Sequence, residues 1–159
     1  MDIEEYRKQF IDELRFNAEH EGTEPETQFI EKYLSDLEEI GELNDPIPMS
    51  VEMRGFRNRL LAFDAYAYDE ADGALILIAS DFTNERDSTP TLTNSRIEDI
   101  YTHMLNFLDE CVQGNISKYC DDSDPALIIA NEFRKKIGKG LLSTEILRFK
   151  FFILSNATL

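Results

Sequence analysis

Two apolar segments separated by a short polar turn constrain the fold of this chain more than any other feature. Residues 60–68 are rich in aromatic and small apolar side chains, and residues 74–82 are almost continuously apolar. Asp72-Gly73 lies between them, and Asp-Gly between two such segments is a strong signal for a β-hairpin. A strand that is apolar throughout is typical of a sheet covered on both faces. We therefore predict a central antiparallel hairpin with helices packed on both sides.

Helical periodicity predicts the helices that would cover the two sides of this hairpin. Apolar side chains recur every three or four residues over residues 3–18, 25–40, 94–113 and 125–137, which predicts four amphipathic helices. The second helix is preceded by Thr23-Glu24-Pro25-Glu26. In this segment we expect a capping box, with Thr23 capping the helix and Glu26 reaching back.

The remaining segments complete an α/β domain. Residues 44–48 predict a turn, residues 50–53 a short strand and residues 146–154 a Phe-rich final strand. The predicted fold is α/β, with a mixed sheet flanked by helices in the order α-α-(β)-β-β-α-α-β. A length of 159 residues suits one domain with one sizeable core.

Composition excludes several classes of function. The net charge of −16 argues against autonomous, charge-driven binding to nucleic acid, so we expect this domain alone to bind it weakly or not at all. No apolar run reaches the ~20 residues of a membrane span, and the acidic N-terminus is unlike a signal peptide. We therefore expect a cytoplasmic protein with no membrane partner. Cys111 and Cys120 are predicted to be reduced thiols.

The charge is unevenly distributed along the chain. Residues 1–45 hold 15 Asp and Glu against 4 Lys and Arg, whereas residues 133–159 hold six Lys and Arg against Glu145 alone. This distribution indicates a small basic patch on an acidic body. The simpler alternative is a solvated helix end followed by a strand.

An acid near the start of the hairpin's first strand, with helices before and after, is the layout of the PD-(D/E)xK nuclease core. In that chemistry an acid on each strand holds a divalent metal, and a lysine two residues further along the same face orients the attacking water. Here Asp64 is the first-strand acid, but Ala79 and Asp81 stand where the second acid and the lysine belong. Glu31, on the second helix, is the candidate supporting acid. We therefore predict no catalytic residue and no cofactor, with weak divalent metal binding left open.

Each of these acids also has a structural interpretation. Asp81 is then a strand-end acid and Glu31 part of a solvated helix face. Asp64 would cap a neighbouring backbone group or pair with a nearby arginine, namely Arg54, Arg57 or Arg59.

Three stretches of sequence resemble a known family. They are residues 63–70 (FDAYAYDE), residues 75–82 (LILIASDF) and the closing residues 148–156 (RFKFFILSN). They are similar to the N-terminal domain of AIPR-type abortive-infection phage-resistance proteins, in which an IDG-x-Y-x-D strand precedes one ending in a QSKY-like motif. The opening MDIEEYR has a similar character. The resemblance implies a restriction-endonuclease-like fold at the N-terminus of a larger bacterial defence protein.

The chain stops directly after an apolar strand, so we expect residues 1–159 to be the N-terminal domain of a longer protein. Its first expected partner is the C-terminal remainder of that chain, with a protein partner or a homo-oligomer as further options. The leading functional hypothesis is a catalytically degenerate nuclease-like domain that acts in recognition or assembly. One alternative is an active metal-dependent nuclease whose lysine is displaced, for example to Lys150 or Lys139. Another is an acidic interaction module unrelated to nucleases.

Overall fold

The element order predicted from the sequence is confirmed. The computed structural model describes residues 2–138 and 145–158, and its helices and strands follow one another in the predicted order. In chain order they are α1 (Ile3–Glu21), α2 (Pro25–Glu39), β1 (Ile47–Arg54), β2 (Leu60–Asp69), β3 (Ala74–Asp81), α3 (Asn94–Gln113), α4 (Pro125–Ile137) and β4 (Arg148–Ser155). Single 3-10 turns lie before β2 and after α3.

The four strands form one mixed sheet in the order β1-β2-β3-β4. The β1/β2 and β2/β3 pairs are antiparallel, whereas β3 and β4 are parallel. A parallel neighbour needs a long crossover connection, and α3 and α4 provide it. Gly73, with φ 63°, adopts the left-handed conformation that the tight β2–β3 turn requires. The predicted central hairpin is therefore confirmed.

Helices cover both faces of the sheet and create two apolar cores. On one face α3 and α4 pack against the sheet around the rings of Phe63, Phe107 and Phe133, all nearly inaccessible to solvent. On the other face α1 and α2 pack around Leu14 and Phe29. Strand β3 serves both cores because its side chains alternate: Leu75 and Leu77 enter the first core, and Ile76 and Ile78 the second.

The predicted boundaries of β1 and β3 differ slightly from the observed ones. Strand β1 begins at Ile47, within the predicted turn, and extends to Arg54. Pro48 is accommodated because β1 is an edge strand, where a missing N–H costs no ladder hydrogen bond. Strand β3 ends at Asp81, one residue earlier than predicted.

The capping-box prediction was wrong. Because Pro25 occupies the first helical position, the cap of α2 falls on Glu24, which makes no side-chain cap hydrogen bond. Thr23 is therefore one residue outside the helix, and Glu26 lies one position too early to reach back. The Thr23 hydroxyl instead accepts a hydrogen bond from Nε2 of Gln28 at 2.9 Å.

The polar connection between β3 and α3 is held in place by α1. Arg7 is buried, and its guanidinium donates hydrogen bonds to the backbone carbonyl oxygens of Thr83, Glu85 and Ser88. Its Nε also donates to the carbonyl oxygen of Asn156, beyond β4, at 3.1 Å. One side chain of α1 therefore joins two segments that are distant in sequence.

None of the helices in residues 2–138 and 145–158 combines the length and the apolarity needed to cross a membrane.

Candidate functional site

Asp64 lies at an irregularity of the sheet. Phe63 packs into the α3/α4 core, but Ala65, two residues further on, packs into the α1/α2 core. The register of β1 against β2 also shifts at this point, between the pairs Pro48–Ala65 and Val51–Phe63. The extra residue lies in β1, where three steps from Pro48 to Val51 oppose two steps of β2, and Asp64 lies between the two β2 residues that face different cores.

The Asp64 carboxylate binds a backbone group of β3 just beyond the regular pairing of β2 with β3. The backbone pairing of β2 with β3 begins at Ala65 and Ile78. Just beyond it, Oδ2 of Asp64 accepts a hydrogen bond from the backbone N–H of Ser80 at 2.7 Å. The structure thus places Asp64 on a backbone donor. Arg59, one of the arginines considered above, instead pairs with Asp109 and Glu110.

Burial and two neighbouring acids shift the ionisation of Asp64. Burial raises the pKa of Asp64 to about 6, the carboxylates of Glu26 and Glu52 add to the rise, and the Ser80 N–H opposes it. Glu26 also accepts a hydrogen bond from the Ser80 hydroxyl at 3.0 Å. Three elements, α2, β1 and β2, therefore each bring one carboxylate to this end of the sheet.

Sequence reasoning missed Glu26 and Glu52 and selected Glu31 instead. Glu31 is exposed on α2, six residues from the start of that helix. The proline at the first helical position was a usable signal, because it places Glu26 in the first turn of α2.

The two second-strand positions have structural surroundings. Ala79 is 6% exposed and belongs to the α3/α4 core. Oδ1 of Asp81 pairs with Nε of Arg96 at 3.1 Å, and its Oδ2 accepts a hydrogen bond from the Ser155 hydroxyl at 2.9 Å. Asp81 therefore joins β3 to α3 and to the end of β4.

An open depression of about 310 Å³ lies over this region and carries charges of both signs. Glu52 and Asp64 contribute carboxylates, while Arg96 and His103 of α3 contribute nitrogen groups. Burial lowers the pKa of His103, which favours its neutral form. Within the described part of the chain, no group of three or more His, Cys, Asp or Glu side chains is arranged to hold a metal ion.

Lys150 lies at the other end of the sheet from Asp64. It is paired with Ile76 in the sheet register, and its Nζ lies 2.7 Å from Asp72 and 3.5 Å from Asp69. Ser80 lies four residue steps along β3 from Ile76, a distance of roughly 13 Å. Lys150 therefore does not supply a lysine to Asp64. Lys139, the second candidate, lies outside the described residues.

The basic residues near the end of the chain are largely neutralised by acids. Arg148 pairs with Asp72 at 3.2 Å, and Lys136 pairs with Glu145 at 3.3 Å. The ammonium group of Lys136 also lies 4.6 Å from the centre of the Tyr68 ring. In the described part of the expected basic patch, Lys136, Arg148 and Lys150 are thus interleaved with carboxylates.

The raised pKa of Asp64 predicts a specific dependence of stability on pH. The folded protein holds the Asp64 proton up to about pH 6, whereas the unfolded chain releases it near pH 4. The Asp64 contribution to the free energy of unfolding therefore falls as pH rises, by about 3 kcal/mol in total, of which about 2 kcal/mol falls between pH 4 and pH 7. In Asp64→Asn, which retains an acceptor for the Ser80 N–H, we expect this contribution to vanish.

Urea titrations of both proteins between pH 4 and pH 7 measure this effect. The variant should gain about 2 kcal/mol relative to the parent as pH rises. A difference between the two proteins that does not change with pH would contradict the assignment.

The chain is an α/β domain with a mixed sheet. At a register shift of this sheet, Asp64 binds the backbone N–H of Ser80. The family model for the abortive infection phage resistance protein N-terminal domain matches residues 29–159, and the chain belongs to this family. The family resemblance of the hairpin and closing strand is therefore confirmed. No curated protein and no solved structure matches the chain. The match begins within α2, so α1 lies outside it.

Proposed function

We propose that this domain is a catalytically inactive, restriction-endonuclease-like part of an abortive-infection phage resistance protein, serving recognition or assembly. One observation carries the proposal: both candidate acids have structural partners. Asp64 binds the Ser80 N–H at 2.7 Å, and Asp81 is held by Arg96 and Ser155. The partners proposed for such a domain are the remainder of its own longer chain, another protein, or a further copy.

The chemistry of phosphodiester hydrolysis supports the same conclusion. Metal-assisted cleavage needs a metal held in fixed geometry and a group that orients the attacking water. Ala79 has no ligand atom, and Asp81, at the lysine position, is anionic and already paired. A carboxylate beside the developing negative charge would repel the phosphate, where a lysine would attract it.

The charge distribution also disfavours nucleic acid as the primary partner. The net charge of −16 opposes approach to phosphates. Lys136, Arg148 and Lys150 each have an acidic partner within 3.5 Å. Weak binding of nucleic acid by this domain alone therefore remains our prediction.

We expect residues 1–159 to leave plasmid DNA, single-stranded DNA and RNA intact in the presence of magnesium or manganese. The measurement is a gel-based cleavage assay with parent and Asp64→Ala purified in parallel. Cleavage by the parent that disappears in Asp64→Ala would show a working site and defeat the proposal. Cleavage of equal rate in both would identify a contaminating nuclease, and a repeat after further purification would then decide.

A further inference from the structure

The helical hairpin formed by α1 and α2 carries an apolar strip on its outer side. The strip begins in the α1/α2 core and continues into solvent. Its inner members, Phe10, Tyr33 and Leu37, are half-buried. Its outer members are among the most exposed large apolar side chains of the protein: Ile3 at 65%, Tyr6 at 61% and Ile40 at 70%. These six residues are called the hairpin strip below.

Ring contacts show that the hairpin strip is continuous across both helices. The rings of Tyr6 and Phe10 are nearly parallel, with centroids 6.3 Å apart, and Phe10 meets Tyr33 of α2 edge-on at 6.2 Å. The connection between the helices is short, so α1 and α2 run antiparallel. Ile3 at the start of α1 and Ile40 at the end of α2 therefore lie toward the same end of the hairpin. The strip therefore presents exposed apolar side chains from both helices at this end of the hairpin.

The segment that carries the hairpin strip is strongly acidic. Residues 1–45 carry 15 Asp and Glu against 4 Lys and Arg, a net charge of −11. Of those four cations, Arg7 is buried, Lys8 is half-buried on α1, and Arg15 binds Asn84 at 2.8 Å. Lys32 lies 3.9 Å from Asp36. The exposed acids Glu4 and Glu5 precede Tyr6 directly in the sequence of α1, and the exposed acids Glu38 and Glu39 precede Ile40 directly at the end of α2.

We propose that the hairpin strip binds an amphipathic helix rich in lysine and arginine, presented by a partner protein. A third helix packed across α1 and α2 would bury the exposed side chains of Tyr6 and Ile40 against its apolar face. Its flanking cations would meet this acidic segment, which gives charge complementarity. A second copy of the chain is disfavoured, because each copy brings a charge of −16 and the same acidic segment. Anionic lipids and nucleic acids are disfavoured for the same reason.

This inference rests on the proposed assembly role and names the chemistry of the partner. The probe is a fluorescent Leu/Lys peptide of about five helical turns with all its leucines on one face. The comparison peptide has the same composition in scrambled order. Fluorescence anisotropy with the full 159-residue chain measures both affinities. We expect the amphipathic peptide to bind at least tenfold more tightly than the scrambled one, and more weakly as salt increases.

Matched variants locate the binding surface. In Tyr6→Ser/Ile40→Ser we expect the peptide affinity to fall at least tenfold. In Phe16→Ser/Ile128→Ser, which removes side chains 69% and 63% exposed outside the strip, we expect it to remain unchanged. All four positions are exposed, so both double variants should fold, and circular dichroism verifies this. Backbone amide shifts induced by the peptide should map to α1 and α2.

Several outcomes would overturn the inference. They are absence of binding, equal affinity for the scrambled peptide, or equal losses in the two double variants. A salt-sensitive dimer of the chain that Tyr6→Ser/Ile40→Ser abolishes would assign the hairpin strip to a second copy instead. Failure of the proposed function has a separate signature, namely nucleic-acid cleavage that depends on Asp64.

Discussion

Replacing Arg7 by methionine lowers the expected free energy of unfolding by about 3 kcal/mol. The guanidinium donates to four backbone carbonyl oxygens, in the β3–α3 connection and beyond β4. Hydrogen bonds from a charged donor contribute about 1.5–3 kcal/mol each. Burial lowers the pKa of Arg7, so part of this gain offsets the cost of removing its charge from water. Methionine keeps the apolar stem of the side chain and removes only the donors.

Urea unfolding followed by far-ultraviolet circular dichroism measures this loss, since the chain contains no tryptophan. Amide exchange should show where it arises. The N–H of Leu92 donates to the Thr158 carbonyl oxygen at 2.6 Å, and the N–H of Thr158 donates to Pro90. We expect both amides to lose protection in Arg7→Met.

Arg15→Met is the matched control for this experiment. Arg15 lies on the same helix and also binds the connection, but at the exposed residue Asn84. Its loss should cost less than about 1 kcal/mol, as for other exposed polar contacts. Equal effects of the two substitutions would contradict the role assigned to Arg7.

Local patterns were sufficient to predict the sheet and its helical layers. The β2–β3 hairpin follows from two apolar segments and one Asp-Gly turn, all within about twenty residues of sequence. The capping-box prediction failed for an equally local reason: Pro25 fixes where α2 begins, which leaves Thr23 outside the helix. The extension of β1 to Ile47 is different, because it depends on pairing with Tyr66 of β2.

The surroundings of the candidate site depend on long-range geometry that no local pattern contains. Asp64 meets Ser80, sixteen residues away, at the point where the alternation of β2 breaks and the register of β1 against β2 shifts. The burial of Arg7, in contrast, is indicated by its position in the sequence. Arg7 precedes Ile11, Leu14 and Ala18 at helical spacing, so it occupies a position on the buried stripe of α1. A cation at such a position indicates a buried network of acceptors.

The second large effect is expected when Glu110, a carboxylate buried in α3, loses its partner Arg59. Its side chain is 3% exposed, and its Oε1 lies 2.7 Å from Nη2 of Arg59, which precedes β2. The same nitrogen also contacts the exposed Asp109 at 2.6 Å. Removing one partner of a buried ion pair leaves an uncompensated charge and typically costs 3–5 kcal/mol. Because Arg59 is 30% exposed, we expect the lower end, about 3 kcal/mol, for Arg59→Met.

A double-mutant cycle separates the cost of the orphaned charge from the value of the pair. Glu110→Met leaves Arg59 with Asp109 and with access to water, so its expected cost is only about 1 kcal/mol. In Arg59→Met/Glu110→Met both charges are absent, and we expect stability within about 1 kcal/mol of the parent. The coupling between the two positions is then about 3 kcal/mol.

Asp109→Asn is the control and should cost less than about 1 kcal/mol. If the double variant were as unstable as the two single losses combined, Arg59 and Glu110 would contribute through packing, and the buried charge would not be the cause.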